Sequence, residues 1–353
     1  MDKFQAIGGL YRNILKPVLF QMDPEMVHNG FTKLGEAMEN GEWIIENLLA
    51  YKSGRLHKQV LGVEFPNPIG LAAGFDWDGH LAQVMGSVGF GFNTVGTVTA
   101  KAYEGNTKPR LGRLPKSKSL FVNKGFMSEG AEHVMKRLDG KRLDGHVIGI
   151  SVGSSNVPEV NTINKAIDDY LFTFDVFRNK PYVKYWELNI SCPNTSMTES
   201  FGDLKNFKKL VAAVKSLKLK QPIFVKMANE IKPADSLELI AVSLKNNIRG
   251  YIFSNLVKNR NNPGLDKTEL ANFKNLKGNF SGKPTEENAN KLISSARKKF
   301  GKEIAIIGCG GVFSAEDAKA KLDAGADLVQ LITGMIYQGP QLAGEINKEL
   351  VMR

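Results

Sequence analysis

Short apolar runs alternate with amphipathic stretches from Pro66 to near the end of the chain. Each run is continuously hydrophobic and is followed by small or polar residues, as expected of a parallel strand buried on both faces. The predicted strands cover residues 68–73, 92–98, 147–153, 185–191, 222–228, 250–255, 304–310 and 327–333.

Amphipathic stretches lie between most of these strands, and 204–218 and 314–326 are examples. The second begins with a capping box, Ser314 to Asp317. Eight βα units are the number in a TIM (β/α)8 barrel. A doubly wound sheet also alternates strands with helices, but it seldom needs eight strands in one unbroken series. We therefore predict an α/β fold, a TIM barrel with a small N-terminal helical extension.

The first 45 residues or so follow a different pattern, with apolar residues at helical spacing and basic residues among them. Pro17 is expected to kink or restart the first helix. Asp23 followed by Pro24 is a typical start of a second helix. This extension, residues 1–45, is either a helical plug packed on the main domain, 46–353, or a surface that dips into a membrane.

Composition narrows the classes of partner. The net charge of +11 favours contact with an anionic surface, either nucleic acid or bilayer headgroups. Two cysteines exclude a disulfide scaffold and a multi-cysteine metal site. No run approaches ~18 apolar residues, and the N-terminus lacks the features of a signal peptide, so neither a transmembrane helix nor a leader is expected.

The carboxyl ends of the predicted strands carry the candidate chemistry, because active sites of TIM barrels lie at that face. Gly310 and Gly311 after the seventh strand, with Thr333 and Gly334 after the eighth, form the usual phosphate grip of such barrels. Lys226 ends the fifth strand, where a buried charge needs a partner. Together they indicate a phosphorylated cofactor, and a lysine would stabilise the anionic reduced ring of a flavin.

The segment 189–195, Asn-Ile-Ser-Cys-Pro-Asn-Thr, presents a thiol between two amides. Amides recognise a neutral hydrogen-bonding ring, and the Cys192 thiol can take a proton once a nearby cation lowers its pKa. The alternative is a buried inert cysteine, a description that suits Cys309 better.

These motifs in this order resemble dihydroorotate dehydrogenase, an FMN enzyme of pyrimidine synthesis. The matching segments are NPIGLAAGFD, VGTVT, GNTKPRLGRLP, NKGF, ELNISCPNT, VKMA, SNLVKNR, FSGKP, IIGCGGV and ADLVQLITG. The N-terminal helices with DPEMVH resemble the class 2, membrane-associated members, whose extension carries quinone to the flavin. The resemblance implies oxidation of (S)-dihydroorotate to orotate, with Cys192 taking the C5 proton, hydride passing from C6 to flavin N5, and quinone as the acceptor.

The resemblance also assigns the site residues. The implied FMN contacts are Ala73, Gly74, Thr97, Ser151, Asn189, Lys226, Ser254, Gly282, Gly310, Gly311, Thr333 and Gly334. The implied substrate contacts are Asn189, Asn194, Asn255 and Phe126, and the residues implied to line the quinone path are His28 and Arg113.

Several positions depart from the family pattern. Cys192 is the class 1 base, whereas class 2 members usually have serine. The lysine that meets FMN and the orotate carboxylate is Trp77 here, and other family positions hold Val122, Ser151 and Ile332. Because a buried carboxylate without a cation is costly, we hypothesise that Lys124 supplies the missing charge.

Two rival functions are a tRNA dihydrouridine synthase and a flavin-binding protein without catalysis. The first family has a different cysteine motif and a C-terminal RNA-binding domain, so we expect no nucleic-acid partner. Fumarate or NAD could replace quinone if the extension is only a plug. The expected location is the cytoplasmic side of a bacterial inner membrane, held peripherally, since no presequence is found.

Overall fold

The main body is built on parallel strands that each hydrogen-bond to the next strand of the series. The computed structural model describes residues 2–191 and 200–352. Its strands are β1 (Lys58–Val60), β2 (Val63–Phe65), β3 (Ile69–Leu71), β4 (Phe92–Val98), β5 (Leu111–Leu114), β6 (Ser119–Val122), β7 (Ile148–Val152), β8 (Val183–Asn189), β9 (Ile223–Lys226), β10 (Gly250–Phe253), β11 (Asn279–Phe280), β12 (Ala305–Cys309) and β13 (Leu328–Leu331).

The helices complete the βα units and form the N-terminal extension. They are α1 (Lys3–Leu10), α2 (Lys16–Leu19), α3 (Pro24–Ala37), α4 (Glu42–Leu49), α5 (Ala131–Asp139), α6 (Ile163–Phe177), α7 (Leu204–Ser216), α8 (Pro233–Leu244), α9 (Lys267–Leu270), α10 (Glu286–Phe300), α11 (Ala315–Asp323), α12 (Thr333–Gln338) and α13 (Leu342–Met352).

Strands β3, β4, β7, β8, β9, β10, β12 and β13 close into one parallel barrel. Each of the eight predicted strands overlaps one of them, and β13 pairs with β3 to complete the ring. The predicted TIM barrel is therefore confirmed. A separate antiparallel sheet of β5, β6 and β11 stands beside the barrel mouth.

The barrel interior is filled by aromatic rings that face glycines on neighbouring strands. A Cβ placed on Gly70, Gly149 or Gly250 would lie 2.1–2.5 Å from the ring of Phe92, Tyr185 or Phe224 respectively. Below these rings, Phe65 from β2 packs against Phe92 at a centroid distance of 5.1 Å. Large and small residues therefore interlock across the strands, so the barrel is a packed core and not a pore.

The extension contains more helical structure than its sequence pattern predicts. Between α1 and α2 lies a π-helical turn, Tyr11–Leu15, which precedes Pro17. Because Pro17 has no backbone N–H, the wider turn accommodates the missing hydrogen bond and the helix continues to Leu19. The predicted cap is present, since the Asp23 carboxylate accepts a hydrogen bond from Met26 N at 2.9 Å. A further helix, α4, crosses residue 45, where we placed the end of the extension.

Truncating Phe224 tests the packing of the barrel interior. We expect Phe224→Ala to lower the free energy of unfolding by ~3–5 kcal/mol, because it leaves a cavity beside Gly250 in a fully buried layer. The measurement is urea denaturation followed by circular dichroism. Phe172→Ala, at a ring that is 46% exposed on α6, is the matched control and should change stability by less than ~0.5–1 kcal/mol. Equal losses from both variants would contradict this description of the core.

Candidate active site

A continuous chain of polar side chains crosses the mouth of the barrel. Asn189 Nδ2 donates to Thr97 Oγ1 at 2.8 Å, and the hydroxyls of Thr97 and Ser151 share a hydrogen bond of 3.0 Å. Ser151 donates to Glu187 Oε1 at 2.8 Å, and Lys226 Nζ donates to the same oxygen at 3.2 Å. All five side chains are buried, and they come from four successive strands. Four of the predicted FMN contacts are therefore joined in one network, which passes through Glu187.

The same network reaches the predicted substrate amides. Ser191 Oγ donates to Asn189 Oδ1 at 3.3 Å and accepts from Asn255 Nδ2 at 2.8 Å. Ser191 thus joins two amides that are far apart in the sequence. Cys192 and Asn194, which follow it in the chain, lie outside the described residues.

A second cluster of predicted residues surrounds a cavity between the ends of β10, β12 and β13. The predicted residues that line it are Ala73, Lys226, Ser254, Asn255, Gly282, Gly310, Gly311, Thr333 and Gly334. Lys226 and Asn255 therefore connect this cavity to the polar network. Eight of the twelve predicted FMN contacts thus line one cavity.

The backbone conformation around this cavity requires glycine at several positions. Gly310 and Gly311 have φ angles of +106° and +75°, and Gly282 has +79°, values that L side chains rarely adopt. A Cβ on Gly310 would lie 2.2 Å from Thr285 Oγ1, and one on Gly334 would lie 1.8 Å from Val312 O. Such close backbone turns let peptide N–H groups approach an anion. The residues present fit a phosphorylated flavin, with a buried ammonium at one end and a glycine cradle at the other.

Hydrogen bonds from neighbouring loops hold this cavity in shape. Asn229 Nδ2 donates to Ser254 Oγ at 2.7 Å and to Thr285 O at 2.8 Å. The hydroxyls of Thr333 and Ser281 lie 2.8 Å apart. Asn229 was not predicted as a site residue, since a single asparagine after a strand carries no distinctive signal.

Two further predicted residues, Gly74 and Phe126, lie at the rim of the mouth. Gly74 N donates to Gly96 O at 2.7 Å, which ties the loop after β3 to β4. A Cβ on Gly153 would lie 2.6 Å from Thr97 Cγ2 and 3.0 Å from the ring of Phe126, so that ring lies directly over Gly153. Phe126 itself has φ +62°. Phe126 therefore lies near Thr97 and the polar network, and its contact with substrate stays a prediction.

Lys124 is held by the N-terminal extension. Its Nζ lies 2.8 Å from Glu25 Oε1 on α3 and 3.8 Å from the centre of the Trp77 ring. Arg110 pairs with the same Glu25 carboxylate at 3.0 Å. Burial lowers the pKa of Lys124, while its contact with Glu25 opposes that effect. The cation hypothesised for the substrate carboxylate thus has a protein partner, which the sequence did not reveal because Glu25 and Lys124 are 99 residues apart.

The two residues assigned to the quinone path lie in different surroundings. His28 stacks on Trp77 at a centroid distance of 4.3 Å and lines a cavity of about 780 Å³ between α3 and the barrel loops. Burial and the Lys124 ammonium lower the pKa of His28 to about 4, so the imidazole is neutral at pH 7. Arg113 instead donates to Met22 O at 2.7 Å and covers the ring of Phe20 at 4.8 Å.

The comparisons with known proteins agree with this geometry. Residues 55–353 match the family model described as dihydroorotate dehydrogenase. The chain is 35% identical to "Dihydroorotate dehydrogenase (quinone)" of Christiangramia forsetii, over 97% of this chain and 99% of that protein. It is 38% identical to the protein of the same name from a Shewanella strain, ANA-3, over 96% and 98% of the two chains.

Solved structures give the same result. The dihydroorotate dehydrogenase of Eimeria tenella in complex with ferulenol superposes with a TM-score of 0.81 at 26% identity, covering 95% of this chain and 94% of that one. Its ligand-free form gives a TM-score of 0.77 at 28% identity, covering 90% and 94%. The sequence resemblance and the predicted enzyme class are therefore confirmed, and this chain belongs to the dihydroorotate dehydrogenase family.

Proposed function

We propose that this protein oxidises (S)-dihydroorotate to orotate in de novo pyrimidine biosynthesis, with FMN as cofactor and quinone as electron acceptor. The observation that carries this proposal is the polar network from Asn255 to Lys226, which meets the glycine-lined cavity at one barrel mouth. The names of the relatives, which include the word quinone, support the acceptor.

The chain offers distinct groups to the two ends of FMN. Gly310, Gly311, Thr333 and Gly334 would hold its phosphate, and Lys226 with the Thr97–Ser151 pair would face its ring. When bound, this cofactor supplies the acceptor for the hydride that leaves C6 of the substrate. Glu187 lies 3.2 Å from the Lys226 ammonium and would hold it in place beside the ring. The barrel strands thus position the Lys226 ammonium and the glycines of the cavity at the same mouth.

The substrate would lie over Phe126, with its ring amides paired to Asn189, Asn194 and Asn255. Asn189 and Asn255 are already oriented through Ser191, so they lose little side-chain freedom when they bind. Cys192 would remove the C5 proton. A thiol has a pKa of about 8.5 in peptides, so a modest decrease gives appreciable thiolate at neutral pH.

Anaerobic mixing of the purified protein with dihydroorotate tests the proposed reaction. We expect a yellow protein whose flavin absorbance bleaches in the wild type. Cys192→Ala should retain flavin but bleach slower by ~10²–10⁴-fold, because it lacks the base. Phe172→Ala, at a ring that is 46% exposed on α6, is the control and should leave the bleaching rate within about threefold. A colourless protein, even after reconstitution with FMN, would refute the proposal.

The proposed role of Lys124 has its own test in steady-state kinetics. Lys124→Met should raise KM for dihydroorotate by at least about tenfold, because it leaves the substrate carboxylate without a cation. Lys108→Met is the matched control, since the Lys108 side chain also pairs with Glu25, at 3.6 Å, but is 71% exposed. An unchanged KM in the Lys124 variant would end this assignment.

We also propose that residues 1–45 seat the protein peripherally on the cytoplasmic side of an inner membrane and give quinone access to the barrel, residues 46–353. Of the thirteen exposed large apolar side chains in the described chain, eleven lie between Leu10 and Leu48. Val18 is 62% exposed and Leu34 57%, with Lys16 and Lys33 nearby in the sequence. Such an apolar face flanked by cations is typical of an interfacial helix. No helix among residues 2–191 and 200–352 is long and apolar enough to cross a bilayer.

Sedimentation with vesicles of phosphatidylcholine and phosphatidylglycerol tests the membrane surface. Val18→Asp with Leu34→Asp should weaken binding at least about tenfold, because each exposed apolar side chain contributes ~1.5–3 kcal/mol when it is buried in lipid. Phe172→Asp, at the exposed ring on the barrel helix α6, should leave binding unchanged. Equal binding by all three proteins would show that the extension is a plug on the domain.

A further inference from the structure

Glu187 is a fully buried carboxylate at the centre of the polar network. It lies on β8 between Trp186, which packs among the outer helices, and Leu188, and two residues before Asn189. Alternation along a strand therefore puts the side chains of Glu187 and Asn189 on the same, inward face. Its Oε1 accepts hydrogen bonds from Ser151 at 2.8 Å and from Lys226 at 3.2 Å.

Structural stability alone does not account for a carboxylate at this place. Burying an ion pair costs several kcal/mol of desolvation for each ion, and apolar residues of similar size are often as stable or more so. Glu187 is also incompletely paired, because Oε2 has no hydrogen-bond partner among the described residues. A group that costs stability and is held beside a predicted cofactor contact is a candidate for a functional role.

Lys226 is the cation that Glu187 contacts in the described chain. The Lys226 and Glu187 side chains are 5% and 0% exposed, so water screens their interaction little. Among the described residues, two further ionisable groups interact with the pair and are uncharged at pH 7, because burial raises the pKa of the Cys309 thiol and that of the Tyr185 hydroxyl. The pair therefore has a net charge near zero at the floor of the mouth.

We infer that Glu187 is the fixed counter-charge of Lys226 and lowers the reduction potential of the bound flavin. The inference rests on the proposed function, since Lys226 is placed beside the flavin ring there. An unpaired ammonium would strongly favour the reduced, anionic ring over the neutral oxidised ring. Glu187 offsets part of that preference, so the reduced cofactor gives up its electrons more readily to the acceptor. Glu187 acts through Lys226 and is a positioning residue.

The replacement of the family asparagine by Ser151 agrees with this role. A serine is shorter than an asparagine, and the Ser151 hydroxyl donates to the Glu187 carboxylate while it shares a hydrogen bond with Thr97. The Ser151 hydroxyl therefore connects the Glu187 carboxylate, through Thr97, to the Asn189 amide. Ser151 therefore helps to fix the orientation of the Glu187 carboxylate.

The flavin potential of Glu187→Gln tests the inference. The glutamine keeps the shape of the side chain, so the holoenzyme should fold and bind FMN. We expect the ratio of reduced-flavin to oxidised-flavin binding to rise at least about tenfold, which is an upward shift of about 30 mV in the two-electron midpoint potential. Affinity for sulfite, which adds to flavin N5 and places a negative charge on the ring, should rise in parallel. An unchanged or lower potential would overturn the inference.

A double-mutant cycle separates action through Lys226 from a direct effect. Lys226→Met should lower the potential, and adding Glu187→Gln to it should change the potential little, because a carboxylate without its cation takes up a proton in a buried site. Additive shifts would overturn the proposed route. Glu132→Gln, at an exposed residue on α5, is the matched control and should leave the potential unchanged.

The outcomes distinguish this inference from the proposed function. If the wild-type protein binds no flavin, the proposed function and the inference are both contradicted. If the wild-type protein is yellow and bleaches with dihydroorotate, the proposed function stands. If Glu187→Gln then has the wild-type potential and sulfite affinity, only the inference is contradicted. A merely structural role for Glu187 would change the melting temperature without moving either flavin measurement.

Discussion

Closure of the parallel sheet is the constraint on which the site depends. Eight strands can form a ring only if their inward side chains fill its interior, and here rings such as Tyr185 occupy the space left by glycines such as Gly149. Once the barrel is closed, the carboxyl-terminal residues of all its strands lie at the same end of the barrel. Asn189 and Lys226 meet because β8 and β9 are neighbours in register, and their Cα atoms pair directly. The chemistry is therefore positioned by packing several residues below it.

The barrel strands could be predicted because each is buried on both faces and reads as a continuous apolar run. The shorter elements outside the barrel could not be predicted from the sequence. Strands β1, β2 and β11 have only two or three residues, and pairing with distant segments decides whether such pieces form strands at all. Helix α4 could not be predicted because it has only eight residues, too few for a distinct helical period. The π-helical turn before Pro17 depends on backbone geometry that residue spacing does not record.

In the site, sequence motifs predict ligand contacts, but they do not reveal the groups that hold those residues in position. Residues such as Gly311 and Asn255 occur in motifs whose position after a strand indicates their role. Glu187 also lies in a recognisable motif, yet its partners are on β7 and β9 and become visible only when the barrel closes. The contact between Lys124 and Glu25 joins the extension to a loop of the barrel, and no local pattern predicts such a pairing.

The indole of Trp77 has a consequence for inhibitor selectivity. It stands where the family pattern has a lysine, and it contacts both the His28 imidazole and the Lys124 ammonium. Compounds whose acidic group is designed to meet that lysine would meet an aromatic surface here, and the ammonium over that ring, Lys124, already pairs with Glu25. A planar, electron-poor scaffold gains stacking area on the same surface. Discrimination between this protein and its lysine-bearing relatives therefore follows from a single side chain.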